Sequence, residues 1–354
     1  MSVFTIYNCG TAYNASSGDV IARLHKNTSP VNQTIINAGP GSGSFTPNFL
    51  GGTGNPGGAS TIGGLLFGSG VETNVKKTIE KLYLMRPQPT VVNLCGWSRG
   101  GITCAKIANE LNRLGPPLSR MAINIFAIDP VPGSNTGGGS NWNNISISRN
   151  IRYYSAVLAQ HDLRSWAMDS FQAVYPQLSE GTNVEVDVMP GSHSSIVEFK
   201  GAAGKNATAE LVYDMAQRFL RSHGTQFSGP GLLSNNEILK RYALIQENFD
   251  FYSKLKTKHL KKLAQNPNTF KREIMDASKQ VVGSLSMAKP AFFINEHHRE
   301  TFRFTYPYLG TELDRDKLQN PFANPAAANE FDRLGSACPE QGKTVLLYFL
   351  QALK

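Results

Sequence analysis

The hexapeptide Gly96-Trp97-Ser98-Arg99-Gly100-Gly101 fits the Gly-x-Ser-x-Gly nucleophile elbow, in which a serine stands at the apex of a sharp strand-to-helix turn. Its surroundings agree with that reading. Thr90-Val91-Val92-Asn93-Leu94-Cys95 reads as a short buried strand, and Ile102 to Leu114 reads as a helix. The glycines have a mechanical purpose in such a turn. Side chains at positions 96 and 100 would block the close passage of neighbouring backbone, so glycine there lets the Ser98 hydroxyl be held up and exposed. The following helix would aim its N-terminal N–H groups at any negative charge forming beside that hydroxyl.

A strand-turn-helix motif of this kind belongs to an α/β sheet, and the rest of the first 230 residues supplies one. Strands are predicted at Val3–Cys9, Gln33–Ala38, Met121–Ile128, Ile151–Ala159 and Val184–Met189. Helices are predicted at Asp19–His25, at Val71–Met85 (where Val71, Val75, Ile79 and Leu82 share one face) and from about Thr208 to Ser222. Alternating strands and helices imply a mostly parallel sheet with helices on both faces, an α/β-hydrolase-like fold. Between Gly39 and Gly70 lies a long stretch of Gly, Ser, Thr, Asn and Pro, of the kind that forms functional loops or stays disordered. It contains no phosphate-binding Gly-x-x-x-x-Gly-Lys-Ser/Thr loop, which argues against nucleotide binding.

Glycine and proline cluster near Gly224–Leu233, and Ser234-Asn235-Asn236-Glu237 then has the form of a capping box. A long helix is predicted from there to about Leu263. Residues 1–230 are therefore read as an α/β-hydrolase-like domain and residues 231–354 as a mainly helical C-terminal domain or appendage. The stretch from Lys254 to Arg272 carries many basic residues and no acid. Such a run is either a solvated helix face or a surface for anionic lipid.

Of 354 residues, 40% are hydrophobic and 17% charged, which suits a packed core and excludes global disorder. The net charge of +9 suits an acidic partner without selecting one. Cys9, Cys95, Cys104 and Cys338 show no paired spacing and read as small buried hydrophobes in a reduced protein. The first residues, Met1-Ser2-Val3-Phe4, lack the basic start and apolar core of a cleaved signal peptide, and no apolar run is long enough to span a bilayer. The expectation is a soluble protein, cytoplasmic or exported by a dedicated machine.

A nucleophilic serine needs a base within hydrogen-bond reach and an acid to orient the base. In α/β-hydrolases the chain order is serine, acid, histidine. Of the seven histidines, only His161, His193 and His223 lie between the elbow and the Gly/Pro cluster. His161 comes too early for the base, and His223 stands at a helix end. His193 follows the last predicted strand on a Pro190-Gly191-Ser192 turn, which faces the carboxyl edge of the sheet. Two acids end earlier strands at that edge, Asp129 and Asp162. Asp162 also suits the N-cap of a helix over Leu163–Ala173. An oxyanion hole needs two N–H donors, one from Arg99 and the other from Gly10 or Thr11 after the first strand. The Arg99 side chain is open to two readings, a contact with an anionic headgroup or a salt bridge that fixes the elbow. The chemistry requires no metal or organic cofactor.

The same residues resemble the bacterial α/β-hydrolase family with a Gly-Phe-Ser-Arg-Gly-Ala elbow, which includes phospholipase effectors of type VI secretion. Trp97 and Gly101 stand for that family's Phe and Ala. Cys9-Gly10-Thr11 with Asn14 stands where the family has Asp-Gly-Thr and a nearby Asn. Asp129-Pro130-Val131 matches its Asp-Thr-Val, and Gly191-Ser192-His193-Ser194 its Gly-x-His-Ser. The likeness covers residues 3–200. The glycine run after the family's His is replaced by Ser195-Ile196-Val197. The resemblance implies Ser98, Asp129 and His193 as a catalytic triad, ranks Asp129 above Asp162, and implies a lipase or phospholipase. Lys254–Arg272 would then dock on an anionic membrane. The alternative expectation is a catalytically inert or weak hydrolase-fold effector whose C-terminal helices bind a host or partner protein. Nucleic acid is not an expected partner, because the basic stretch carries no groove-binding or stacking motif.

Overall fold

The computed structural model describes residues 2–42, 70–133, 145, 149–162, 172–176, 179–201, 204–252, 271–286 and 298. Most of the Gly39–Gly70 loop, residues 163–171 of the expected helix after Asp162, residues 254–270 of the basic run, and Cys338 lie outside them, and Ala173, the last residue of that expected helix, is in a strand.

In chain order the elements are β1 (Val3–Asn8), α1 (Val20–Asn27), β2 (Thr28–Ser29), β3 (Thr34–Asn37), α2 (Val71–Leu84), β4 (Val91–Trp97), α3 (Arg99–Arg113), β5 (Ala122–Ile128), β6 (Ile151–Ala159), β7 (Ala173–Val174), β8 (Asn183–Met189), α4 (Ala207–Ser222), β9 (Gln226–Phe227), α5 (Asn235–Glu247), α6 (Phe249–Tyr252), β10 (Lys271–Met275) and β11 (Val281–Ser286). A six-stranded sheet in the order β3-β1-β4-β5-β6-β8 is parallel throughout. The expected α/β fold is therefore present.

Parallel strands are covered on both faces, and the side-chain period of two sorts each strand between them. Phe4, Ile6, Val92, Leu94, Ile123 and Ile125 meet α2 and α3 on one face. Tyr7, Cys95, Phe126, Val157 and Met189 meet α1 and α4 on the other. The second face has a polar end row at matching register. Asn124 donates to Asn93 Oδ1 (2.9 Å), Asn93 donates to Thr225 Oγ1 (2.8 Å), and Thr225 shares a hydrogen bond with Thr5 (2.8 Å). These groups satisfy one another within the buried sheet.

The capping box forms: Ser234 N–H donates to Glu237 Oε2 at 2.8 Å, and Glu237 N–H returns to Ser234 Oγ at 3.4 Å. Ile238, Tyr242, Ile245 and Tyr252 from α5 and α6 join the core on the α1–α4 face, so these helices extend that core. Arg241 Nε also meets Glu210 Oε2 of α4 at 2.8 Å. The expectation of a mainly helical C-terminal region fails over residues 271–286. There β10 and β11 pair antiparallel, and β10 also runs parallel to β7. The physical reason is the alternation Arg272-x-Ile274, which turns both side chains inward, buried at 2% and 0% exposure.

Cys9, Cys95 and Cys104 are buried free thiols. Among the described residues no helix is long and apolar enough to cross a membrane.

Strand order places the site. The chain leaves β1 for β3 on one side and returns to β4 on the other, so the order reverses between β1 and β4. In open α/β sheets that reversal opens a crevice at the carboxyl ends of the two strands. Gly10-Thr11 follows β1, and the Ser98 elbow follows β4.

Candidate active site

The elbow is as sharp as its glycines imply. A Cβ on Gly96 would lie 2.3 Å from the Gly100 carbonyl oxygen, and one on Gly100 would lie 2.0 Å from that of Asn8. Ser98 takes φ 58° and ψ −125°, a conformation that costs an L-residue roughly 1–3 kcal/mol. Its backbone is fixed on both sides. Ser98 N–H donates to Ile128 O (2.9 Å), and Val131 N–H donates to Ser98 O (3.3 Å). The two bonds straddle Asp129, itself at φ 43°. Serine and acid thus share one strained double turn at the ends of adjacent strands. Ser98 is also the N-cap residue of α3, so the first turn of that helix opens beside it.

Asp129 and His193 are in contact. Asp129 Oδ2 lies 2.6 Å from His193 Nδ1, and both side chains are buried. An ionised carboxylate only accepts, so Nδ1 carries the proton and Nε2 is the basic nitrogen. Burial pushes the Asp129 carboxyl up, but Arg272 and His193 together outweigh burial and hold it well below the ordinary carboxylate range. Asp162 meets the same histidine differently: its Oδ2 accepts from the His193 backbone N–H at 2.8 Å. The two acids left open by strand-end reasoning thus contact different parts of one residue, Asp129 the ring and Asp162 the backbone.

The His193 turn is held from beneath as well. His161 Nδ1 accepts from Gly191 N–H at 3.1 Å, and His161 N–H donates to Gly191 O at 2.8 Å. An accepting Nδ1 has no proton, which agrees with burial and the Arg272 charge pushing His161 down to about 3. Trp97 Nε1–H donates to His193 O at 3.1 Å, and the two rings stack at 5.1 Å. Trp97 therefore supplies a hydrogen bond that a Phe at this position would lack.

The candidate oxyanion residues stand on either side of the crevice. Arg99 Nη1 donates to Thr11 Oγ1 at 2.7 Å, which ties the elbow to the loop after β1. A Cβ on Gly10 would lie 2.4 Å from the Trp97 ring, so this loop presses directly on the elbow. The Arg99 guanidinium is buried, and burial pulls it down to about 10. The Thr11 hydroxyl is among its partners.

Sequence reasoning missed one residue at the site. Arg272, the last residue of the expected docking stretch, is 2% exposed and forms two hydrogen bonds to Asp129. It is therefore no part of a membrane-docking surface. Residues 254–270 of that stretch lie outside the described residues.

No protein-family model matches the chain, and no curated protein does. Among solved structures it is similar to an uncharacterized protein from Pseudomonas aeruginosa, at 14% identity and a TM-score of 0.41, over 98% of this chain and 63% of that one. It is also similar to the Tle1 effector, solved bound to the VgrG spike of the type 6 secretion system. That match has 14% identity and a TM-score of 0.34, over 55% of this chain and 50% of the other. The chain spans less than two thirds of the length of either.

Proposed function

We propose that the protein is a serine ester hydrolase acting on a lipid ester, with Ser98, His193 and Asp129 as its catalytic triad. The observation that carries this is the pairing of a strained Ser98 elbow, at the reversal point of the sheet, with the Asp129–His193 contact at the ends of strands on the same edge. Ion pairs and strained turns each occur for structural reasons. A strained serine flanked by an ionised acid on a buried imidazole is the arrangement nucleophilic acyl transfer requires.

In the reaction, Ser98 Oγ attacks the ester carbonyl carbon while its proton passes to His193 Nε2. Asp129 holds Nδ1–H and stabilises the imidazolium. The tetrahedral oxyanion is met by the Arg99 N–H at the start of α3 and by an N–H of the Gly10-Thr11 loop. The intermediate collapses and expels the alcohol, which takes the proton from His193. Water, deprotonated by His193, then attacks the acyl-serine, and the acid leaves as Ser98 recovers its proton. Lipid is the substrate class on the strength of the resemblance of residues 96–101, 129–131 and 191–194 to the phospholipase-containing family. The same resemblance supports an exported effector.

The test is labelling with a fluorophosphonate, followed by hydrolysis of a panel of phospholipids, neutral lipids and short p-nitrophenyl esters. Wild type is expected to be labelled and Ser98→Ala unlabelled, with activity on at least one lipid class. A folded wild-type protein that takes no label would favour the inert, partner-binding scaffold.

A further inference from the structure

The C-terminal part of the chain enters the site. Arg272 on β10 donates from Nη1 to Asp129 Oδ1 (2.7 Å), from Nη2 to Asp129 Oδ2 (2.9 Å), and from Nη1 to Ala159 O. Asp129 Oδ2 is the oxygen that faces His193 Nδ1. A line of backbone hydrogen bonds sets this geometry. Val174 N–H of β7 donates to Pro130 O (2.9 Å), beside Asp129, and Tyr175 N–H donates to Met275 O of β10 (2.8 Å). β10 is thereby registered on β7, with Ile274 opposite Ala173 and Met275 opposite Val174.

We propose that Arg272 is a positioning residue of the triad, which fixes the Asp129 carboxylate toward His193 and shares the charge that the carboxylate presents to the ring. Its catalytic consequence rests on the serine-hydrolase reading; its hold on the Asp129–His193 pair does not. The fork of a guanidinium matches a carboxylate in one plane, so it removes the rotation by which Asp129 would leave the ring. It also shares the carboxylate charge that would stabilise an imidazolium.

The charges around the ring give the sign. Asp129 comes from the end of β5, Arg272 from β10, Asp162 and His161 from the end of β6, while Ser98 and Trp97 of the elbow are neutral. His161 accepts at Nδ1 and is uncharged. Among the described residues, Asp129, Asp162 and Arg272 are therefore charged groups of this surround. Without the guanidinium, the two carboxylates face the ring alone, and the Asp129–His193 pair takes up a proton more readily.

The experiment is an NMR titration of the full chain with ring-labelled histidine, in which His193→Gln assigns the resonance among seven. Arg272→Met is expected to move the His193 midpoint above that of wild type, and Arg272→Lys, which keeps the charge, to leave it in place. Arg272→Gln, which keeps donors without charge, is expected to follow Met and serves where the Met variant does not fold. The acid limb of fluorophosphonate labelling is expected to move with the midpoint. A midpoint and limb that stay at the wild-type pH in folded Arg272→Met or Arg272→Gln, with labelling lowered equally at every pH, would overturn the proposal. A shifted midpoint in a protein whose wild type takes no label would support the role of Arg272 and remove the hydrolase reading instead.

Discussion

Replacing Asp129 with Asn separates the structural from the chemical role of this acid. In the native protein its two oxygens face the Arg272 fork at 2.7 and 2.9 Å, and one of them also faces His193 at 2.6 Å. Asn keeps the shape but has one oxygen, so its amide N–H₂ must face the guanidinium in either orientation, together with the Ala159 N–H in one and the imidazole N–H in the other. It also removes the charge that compensates Arg272, whose side chain is 2% exposed. Breaking a buried pair in this way costs about 3–5 kcal/mol, because the surviving charge stays buried and uncompensated. For a domain of this size each kcal/mol lowers Tm by roughly 2–4 °C, which gives a fall of about 10 °C for Asp129→Asn.

The decisive comparison is with Asp129→Asn/Arg272→Met, where no charge is left to bury. Its Tm is expected to lie above that of Asp129→Asn, with a coupling of about 2 kcal/mol or more between the two positions. Thermal melts of the four proteins by circular dichroism complete the cycle. Loss of fluorophosphonate labelling is expected in both Asn variants, so only stability tells them apart. An Asp129→Asn protein within about 0.5 kcal/mol of wild type, or a double variant that loses the sum of the two singles, would refute the electrostatic reasoning.

Three further outcomes are expected. Gly100→Ala would set a methyl 2.0 Å from the Asn8 carbonyl oxygen, a backbone atom that no rotamer can move; after about 1 kcal/mol of gained helix propensity, the net loss is about 2 kcal/mol, read as a Tm lowered by roughly 4–8 °C. Ser98→Gly and Ser98→Ala both abolish labelling, but only glycine relieves the positive φ, so the Gly variant is expected to be the more stable by about 1 kcal/mol in urea unfolding. His161 is pushed down to about 3 from an ordinary 6.5, so its stabilising contribution is complete above pH 6.5 and is lost as pH falls through that window. His25, His223 and His298 are also lowered by burial and add to the slope. Urea unfolding between pH 7 and 4.5 should therefore be less pH-dependent in His161→Gln, by about 1.4 kcal/mol per unit, and an unchanged slope would remove His161 from the account.

What the sequence made legible is what local pattern encodes. β6 falls on the predicted Ile151–Ala159, and the helices after the elbow and after His193 start within a few residues of their predicted positions. Each of these is bounded by its own turn residues and declares its own period. The elbow needed only its six residues and the strand before it. The choice between Asp129 and Asp162 was not local. Both end strands at one edge, and both reach His193, one at the ring and one at the backbone. Trp97 stood in the motif's variable position, where its hydrogen bond to His193 O had no signature.

Arg272 shows the limit most clearly. Its partner lies 143 residues earlier in the chain, and it ends a run of basic residues whose ordinary reading is a solvated face. A signal was nevertheless present. Asp276-Ala277-Ser278-Lys279 is a run of turn-forming residues, and it separates Arg272-x-Ile274 from Val281-Val282. Read as a hairpin, the first strand places Arg272 on the face that buries Ile274. A guanidinium on a buried strand face needs partners for its charge and its N–H groups, and a carboxylate supplies both. Asp129 follows the apolar run Ile125-Phe126-Ala127-Ile128, so it carries the complementary requirement. Two charges that each need burial partners, at elements that no local contact joins, are the trace a non-local ion pair leaves in a sequence. The constraint runs both ways: a chain that commits an arginine from its C-terminal region to Asp129 cannot complete the Arg272–Asp129–His193 arrangement until that region has folded onto the sheet.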